Sequence, residues 1–538
     1  MEVKNIISAF SRLALQPDDS TPIEQCVNHW LKNAKRVLTL LNNDLSLFVP
    51  LARIESPLTG NTRHIMLVTL FAKLNHFNDH YLQHIIAATL ASQWVNTQTD
   101  NARTPALFAF LRARKLGLWQ DILKLHKAMA SNALLMRFVG TSQLTEAQRL
   151  CIIAKLFASR PKSTQAEDIF SLVVRNVAPI HKHLISNMAI LFTHVIPGSK
   201  VFVSGKPGVV IDVQRDHAFV IALNEDDIDG SWQPAKRILF PKPLFIPFEH
   251  LVALYSQTAE QRHHKGGVAF IPATYAVQSP PAALLGIIDE LQKRDCEIPS
   301  LCEKIESVPT FNRFLLQTAS QDNRLQLQVK NIKQAVMTYG IERVGDMLIQ
   351  FALLERLTQK QYPLMSMCKQ LTTISCAIAG ELASRCDTKF SPQSAALTMT
   401  FLCSPLFTLP GLKIAKALPV NHAAPFSFEQ ALKVKGDASW LTVSSELAGN
   451  WHQSATWRAV IHHCNKPNSE VPSSLRKEHA VMLLAFALSK MSLFSGNIYA
   501  FVQDLSYKTL LNTLSLNQRD IDTIIESQSA LLACPLSQ

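Results

Sequence analysis

A short island of β-branched residues interrupts a sequence that otherwise has helical periodicity. The runs Val201–Val203, Val209–Val213 and Ala218–Leu223 are separated by glycine and proline, as in the turn Gly205–Gly208. Dense β-branched runs divided by such turns predict a small antiparallel sheet. On both sides of the island, apolar residues recur at the spacing of one helix face. The predicted fold class is therefore mostly α, with two helical lobes and a small antiparallel β module between them.

The length of the chain predicts more than one domain. Its 538 residues exceed what one ordinary core supports. Composition along the chain predicts five segments: 1–195 helical, 196–240 the β module, 241–283 a linker, 284–505 helical and 506–538 a helical tail. The linker is inferred from its prolines and from His263–Gly267, which is interpreted as a solvated loop. Within the first segment, Asp168–His194 is predicted to be a helical run.

Cysteine spacing and hydropathy indicate the cellular compartment of the protein. The ten cysteines form no CxxC pair, whereas a structural zinc site needs ligands at close loop spacings. The start Met1–Lys4 has no apolar leader, and no apolar run reaches the roughly eighteen residues of a membrane span. We therefore expect a cytoplasmic protein with reduced thiols, without a metal, a cofactor or a membrane segment.

The net charge leaves nucleic acid open as a partner. The formal charge is +12, from 53 Lys and Arg against 41 Asp and Glu, and a positive field favours acidic partners. The basic residues are scattered, with no run of five, so a diffuse basic surface is favoured over a nucleic-acid motif. The acidic stretch Glu225–Gly230 lacks the ligand spacing of a calcium loop and is interpreted as a solvated turn.

The second half contains an ordered set of segments. Asn331 is placed to cap a short helix, Gly340 permits a break, and a second helix begins at Ile341–Val344. Further on, Glu446–Trp451 is followed by Trp457–His463, which ends in a histidine pair.

This set, with Ile298–Leu301 before it, resembles the HDOD family over about residues 285–500. The family has an aspartate-proline motif and an asparagine-serine motif between the segments that correspond to Ile298–Leu301 and Asn331–Val344. Neither motif is recognisable here. The resemblance implies an HD-type helical fold, in a bacterial signalling protein, that has lost its catalytic metal site. It also implies four partner or cleft residues, namely His462, His463, Arg343 and Trp451.

The resemblance indicates where a hydrolytic metal would have been held. In catalytic HD phosphohydrolases, a histidine, a His-Asp pair and a later aspartate bind metal, which lowers the pKa of the attacking water. The first histidine aligns with Leu371, and the His-Asp pair aligns with Cys403-Ser404. Neither leucine nor serine replaces a hard-metal ligand, so we predict that the chain is not an enzyme.

The first half resembles the HD-GYP phosphodiesterases more distantly. The stretch from Thr62 to Ser92 has the rhythm of an HD core, with Ala91-Ser92 where an enzyme has His-Asp. His64 lies near the first ligand position, and a core or helix-surface histidine is the favoured interpretation. Ile196–Val201 and Gly208–Val210 resemble the closing segment of that family. Residues 1–195 are therefore interpreted as a degenerate HD-GYP-like domain.

The predicted function is non-catalytic signal transduction through protein-protein contacts of a metal-free HDOD domain. The protein partner is not identified by the sequence, and a nucleotide in the vestigial cleft is a second candidate ligand. Two alternatives remain: a metal-dependent cyclic-dinucleotide phosphodiesterase of the HD superfamily, and a basic nucleic-acid-binding regulator.

Overall fold

The structure is a computed structural model that describes most of the chain. It describes residues 12, 16–43, 45–55, 58–98, 102–161, 163–214, 217–222, 230–262, 274–291, 293, 296–322, 329–421, 423–432, 439–494 and 504–528. The chain divides into two compact units. The first comprises Met1–Ala273, Lys360–Tyr362 and Ile414–Lys416, and the second comprises Thr274–Gln359, Pro363–Lys413 and Ala417–Gln538. The five-segment division is finer than this and stays a prediction.

The first unit is built from helices and one sheet. Its α-helices are Ile23–Asn43, Leu45–Phe48, Gly60–Leu74, Asp79–Thr97, Arg103–Ala113, Gly117–Leu123, His126–Met129, Asn132–Val139, Glu146–Ala158, Ala166–Asn176, Lys182–Met188, Ile190–Thr193 and Phe248–Gln257. Short 3-10 turns lie at Val49–Ala52, Pro179–His181 and Ala235–Arg237.

Two helices form the centre of the first unit. Gly60–Leu74 and Asp79–Thr97 are buried along almost their whole length and pack on each other. Ile23–Asn43 covers the second of them, and Glu146–Ala158 covers the first. A helix that is apolar on all sides must lie inside the protein, which is why these two occupy the core.

The sheet has five antiparallel strands in the order β4-β3-β2-β1-β5. The strands are β1 Lys200–Val203, β2 Lys206–Gln214, β3 His217–Ala222, β4 Gly230–Pro234 and β5 Ile238–Leu239. Ser204 and Gly205, with φ of 50° and 84°, form the tight turn between β1 and β2. Two successive positive φ angles suit the twist of a hairpin, and glycine adopts the second without strain.

The sheet is attached to helices of its own unit through a buried carboxylate. Asp212 of β2 accepts a hydrogen bond from Ser46, and Arg262 lies 3.5 Å from its other oxygen. Both charged side chains are buried. The Arg262 guanidinium also lies 3.5 Å from the centre of the Tyr255 ring. A buried charge is tolerated only when it is paired and hydrogen-bonded, and this group satisfies that requirement.

A second buried charge caps the C-terminus of a helix. Arg149 is fully buried, and its guanidinium donates to the carbonyl oxygens of Phe138, Val139 and Thr141. The last carbonyls of a helix lack intrahelical partners, so a guanidinium there completes the helix Asn132–Val139.

The second unit is built from helices, and its described residues form no strand. Its α-helices are Ala282–Leu291, Ile298–Glu306, Pro309–Asp322, Ile332–Tyr339, Ile341–Leu357, Met365–Arg385, Pro392–Cys403, Pro405–Thr408, Pro410–Lys413, Phe428–Ala431, Trp440–Asn450, Ala455–His463, Arg476–Phe494, Leu505–Leu514 and Gln518–Ser527. Short 3-10 turns lie at Asn468–Glu470 and Ser473–Leu475.

The core of the second unit forms around Arg476–Phe494, in which every residue from Glu478 to Met491 is buried. This helix packs on Met365–Arg385, which in turn packs on Pro392–Cys403. The cap predicted at Asn331 is confirmed, because its side chain accepts from the backbone of Gln334 at 2.8 Å. The break at Gly340 is also confirmed, with a φ of 83°.

The prediction of a mostly α fold with a small antiparallel β module is confirmed. The structure is 67% helical, and its described residues contain one five-stranded antiparallel sheet. The segment predicted as a linker contains the helix Phe248–Gln257. Two further predictions, the acidic turn at 225–229 and the histidine-containing loop at 263–267, lie outside the described residues. No helix in the described part of the chain is long and apolar enough to cross a membrane.

Candidate functional site

The positions that the sequence comparison aligns with HD-type metal ligands lie in the packed core of the second unit. Leu371, Cys403 and Ser404 are fully buried. Burial raises the pKa of the Cys403 thiol well above its usual value. Nearby, burial raises the pKa of Cys376 to about 12, and its Sγ donates to the carbonyl oxygen of Ala396 at 3.3 Å. These thiols are neutral, and metals bind the thiolate.

The corresponding positions of the first unit are also in its core. His64 is buried, and its Nε2 lies 2.9 Å from the carbonyl oxygen of Cys151. Burial lowers the pKa of His64 to about 3, so the ring is neutral at pH 7. Ser92 is buried against Met129. Across the described residues, no three His, Cys, Asp or Glu side chains are grouped so that they could hold a metal ion.

The histidine pair lies at the end of a helix in the second unit. His462 is exposed and His463 is half-buried, with ring centres 5.6 Å apart at the C-terminus of Ala455–His463. Burial, together with the charges of Lys466 and His462, lowers the pKa of His463. The predicted pair is thus partly accessible.

A buried histidine connects this pair to the loop that follows it. His479 is fully buried, and its Nε2 lies 3.1 Å from the carbonyl oxygen of His463. Its Nδ1 lies 2.9 Å from Oδ1 of Asn468, and Nδ2 of the same amide donates to Thr513 Oγ1 at 2.9 Å. Burial lowers the pKa of His479 to about 4. The core therefore fixes the position of the loop through one neutral imidazole.

The loop that follows the histidine pair, residues 464–469, forms one wall of an open pocket of about 470 Å³. The other walls come from the segment 423–427 and from the start of the helix Leu505–Leu514. Amides and hydroxyls predominate among its polar groups, and Lys466 and Asp504 add one charge of each sign. We name this the loop pocket. A concave site with a few polar groups is the usual form of a small-ligand or side-chain binding site.

A buried lysine holds the second wall in place. Lys490 is fully buried, and its ammonium group donates to the carbonyl oxygens of Asn421 and Ala424, both at 3.2 Å. Burial lowers the pKa of Lys490 to about 8. Because Ala424 lines the loop pocket, the core also determines the position of this wall.

The other two predicted residues lie elsewhere in the second unit. Arg343 is exposed on the helix Ile341–Leu357. Trp451 is fully buried, and its indole Nε1 donates to the carbonyl oxygen of Val277 at 2.9 Å. The structure therefore brings together His462 and His463, and it gives Trp451 a packing contact. The role of all four in binding stays a prediction.

Sequence reasoning missed the loop pocket. Its walls come from three segments that are separated by about forty residues along the chain, and no local pattern joins them. One signal was present: His479 is a histidine at the start of the long apolar run 480–488. A polar residue at a core position requires buried partners, and here those partners form the pocket wall.

The cysteines of the described residues are all free thiols. Most are buried, whereas Cys296 and Cys386 are partly exposed. Burial also raises the pKa of Cys151 to about 12, and raises that of Cys464 further.

No protein-family model and no curated protein sequence matches the chain. Among solved structures, it is similar to an HDOD domain protein with unknown function from Geobacter sulfurreducens, at 14% identity and a TM-score of 0.34. That match covers 49% of this chain and 92% of the other. It is also similar to the MmoQ response regulator from Methylococcus capsulatus str. Bath, at 14% identity and a TM-score of 0.26, over 47% of this chain and 98% of the other.

Proposed function

We propose that the chain is a non-catalytic signalling protein whose second unit, an HDOD-like domain, acts by binding another protein. One observation carries the proposal: the positions aligned with metal ligands hold Leu371, Cys403 and Ser404, all fully buried. A hydrocarbon, a neutral thiol and a hydroxyl provide neither the charge nor the solvent access that a metal-bound hydroxide requires. An HD-type fold with such a core acts through its surface.

The proposed contact surface is the mouth of the loop pocket. Lys466 lines the loop pocket and is exposed. The histidine pair directly precedes the lining residues in sequence, with His462 exposed and His463 half-buried. The pocket volume of about 470 Å³ accommodates a side chain of a partner protein. A side chain anchored in a pocket and surrounded by polar contacts is the usual centre of a protein interface.

Site-specific photo-crosslinking in the source cells tests this surface. A benzophenone amino acid at position 462 is expected to crosslink one defined protein, and Lys466→Glu is expected to reduce that yield. Asp387, whose side chain is fully exposed, is the matched control position. Equal crosslinking of the same protein from position 387, or a yield at 462 that Lys466→Glu leaves unchanged, would contradict the proposal.

Metal analysis tests the non-catalytic part separately. Protein purified after growth with added iron and manganese is expected to hold much less than one metal ion per chain and to leave cyclic dinucleotides intact. A stoichiometric metal pair with hydrolysis that is lost in Ser404→Ala would establish the phosphodiesterase alternative instead.

A further inference from the structure

One edge of the sheet in the first unit exposes three apolar side chains in a row. Phe202 is 42% exposed, Leu239 64% and Leu244 57%. Phe202 and Leu239 are direct partners in the β1–β5 pairing. The backbone N–H of Lys200 donates to the carbonyl oxygen of Leu244 at 2.8 Å, so the three lie along the same edge. We name these three residues the apolar strip.

Four cations accompany the apolar strip. Lys200, Lys236, Arg237 and Lys242 are exposed, and each is within three residues in sequence of a strip member. Within the described residues, no carboxylate pairs with any of them. Asp212, the carboxylate of β2, is buried and contacts Arg262 instead. Positive charge at this edge is therefore available to an external anion.

Strand geometry places a cation and an aromatic ring on one face. Lys200 and Phe202 are two residues apart on β1, and alternate residues of a strand share a face. Leu239, the partner of Phe202 across the pair, projects to that same face. The edge thus presents an aromatic ring beside aliphatic side chains, with ammonium and guanidinium groups around them.

We propose that the apolar strip and its four cations bind single-stranded nucleic acid. Unpaired bases stack on exposed aromatic rings of sheet faces, while lysine and arginine contact the phosphates. A duplex keeps its base faces stacked on each other, so Phe202 has nothing to bind there. An acidic peptide uses the cations but does not need the ring face. This activity is independent of the protein binding proposed for the second unit.

Fluorescence anisotropy of the full chain with a labelled oligothymidine tests the proposal. If all four cations contact phosphates, log Kobs falls with log salt with a slope of about −2.8, which is four contacts at about 0.7 each. Phe202→Leu keeps an apolar side chain and removes the ring. It is expected to weaken binding by about 5- to 150-fold, the range for one stacked base, and to leave the slope unchanged.

The basic residues give the complementary result. Replacing Lys236, Arg237 and Lys242 with alanine is expected to reduce the slope by about 2.1, because three phosphate contacts are lost. Lys127→Ala, an exposed lysine on a helix of the same unit, is the control and leaves binding unchanged. Unfolding midpoints that match the wild type show that each variant is folded.

Three outcomes would overturn the proposal. The first is wild-type affinity in Phe202→Leu. The second is equal affinity for a duplex of the same length. The third is complete competition by an oligoglutamate peptide at equal charge, which would identify an acidic peptide as the occupant.

Discussion

His479 makes the second unit sensitive to acid, and its environment sets the size of the effect. The ring is fully buried between the carbonyl oxygen of His463 and the amide of Asn468, and burial lowers its pKa from 6.5 to about 4. Between these pH values the unfolded chain binds a proton that the folded chain does not bind. The stabilisation is therefore complete above pH 6.5 and is lost as the pH falls towards 4.

The magnitude follows from the shift in the pKa. One pKa unit corresponds to about 1.4 kcal/mol, and the pKa falls by about 2.5, so the full loss is about 3.5 kcal/mol. At pH 4.5 most of it has occurred, and we expect a loss of about 2.5 kcal/mol relative to pH 7. That is a large fraction of the stability of an ordinary domain.

Hydrogen exchange at pH 7 and pH 4.5, corrected for the intrinsic exchange rate, measures this loss locally. Peptides from the helix Arg476–Phe494 report on the second unit alone, apart from the buried histidines of the first. His479→Gln keeps a side chain that can bond to both neighbours and removes the titrating group. In this variant, the loss between the two pH values is expected to be smaller by about 2.5 kcal/mol.

The exposed His462 provides the matched control, and His462→Gln is expected to retain the wild-type loss. If His479→Gln loses as much stability as the wild type between pH 7 and pH 4.5, the buried neutral imidazole is not the cause and the reasoning fails.

Three further predictions concern stability, and urea unfolding of the full chain measures each. Arg149→Met is expected to destabilise the first unit by about 3–5 kcal/mol, because one buried and two part-buried carbonyls lose their donor; a loss under 1 kcal/mol would contradict this. Gly340→Ala is expected to cost about 1–3 kcal/mol at its positive φ, whereas Gly286→Ala, in an uncrowded helical position, costs nothing or stabilises. The folded-state pKa of Lys490 is about 8, below the unfolded value of 10.5, so stability rises with pH across that window. The buried Lys413, with a pKa of about 7, contributes to the same rise, so Lys490→Met is expected to reduce it. An unchanged rise would rule Lys490 out.

Sequence patterns predicted the features of the fold that depend on neighbouring residues. The cap at Asn331 and the break at Gly340 need only a side-chain acceptor and a residue without a Cβ, and both are present. The prediction that Asp168–His194 is a helical run is only partly confirmed. The structure ends one helix at Asn176 and begins another at Lys182. Pro179 explains the break, since a proline disfavours helical backbone in the residue before it.

Two of the five strands could not be predicted, because their cause is tertiary. Gly230–Pro234 has little β propensity, and it forms β4 by pairing with β3. A Cβ at Gly230 would lie 2.3 Å from the ring of Phe219, so only glycine permits this close pairing. β5 has two residues, too few to produce an alternation pattern.

In the candidate site, too, some features are visible in the sequence and others depend on tertiary contacts. The adjacency of His462 and His463 is visible in the sequence, and their helix-terminal position follows from the helix before them. The loop pocket depends on contacts between distant segments, through His479 and Lys490, and such contacts leave no periodic signal. Burial of Trp451 likewise depends on Val277, more than 170 residues away.

The buried thiols give each unit an intrinsic chemical probe. Cys151 lies in the core of the first unit, while Cys376, Cys403 and Cys464 lie in the core of the second. A thiol that is both protonated and shielded reacts with a maleimide only when its surroundings open. Pulsed alkylation followed by peptide mass spectrometry would therefore record the opening of each core residue by residue, with the partly exposed Cys386 as an internal reference. The native chain thus reports which of its two units unfolds first without any introduced label.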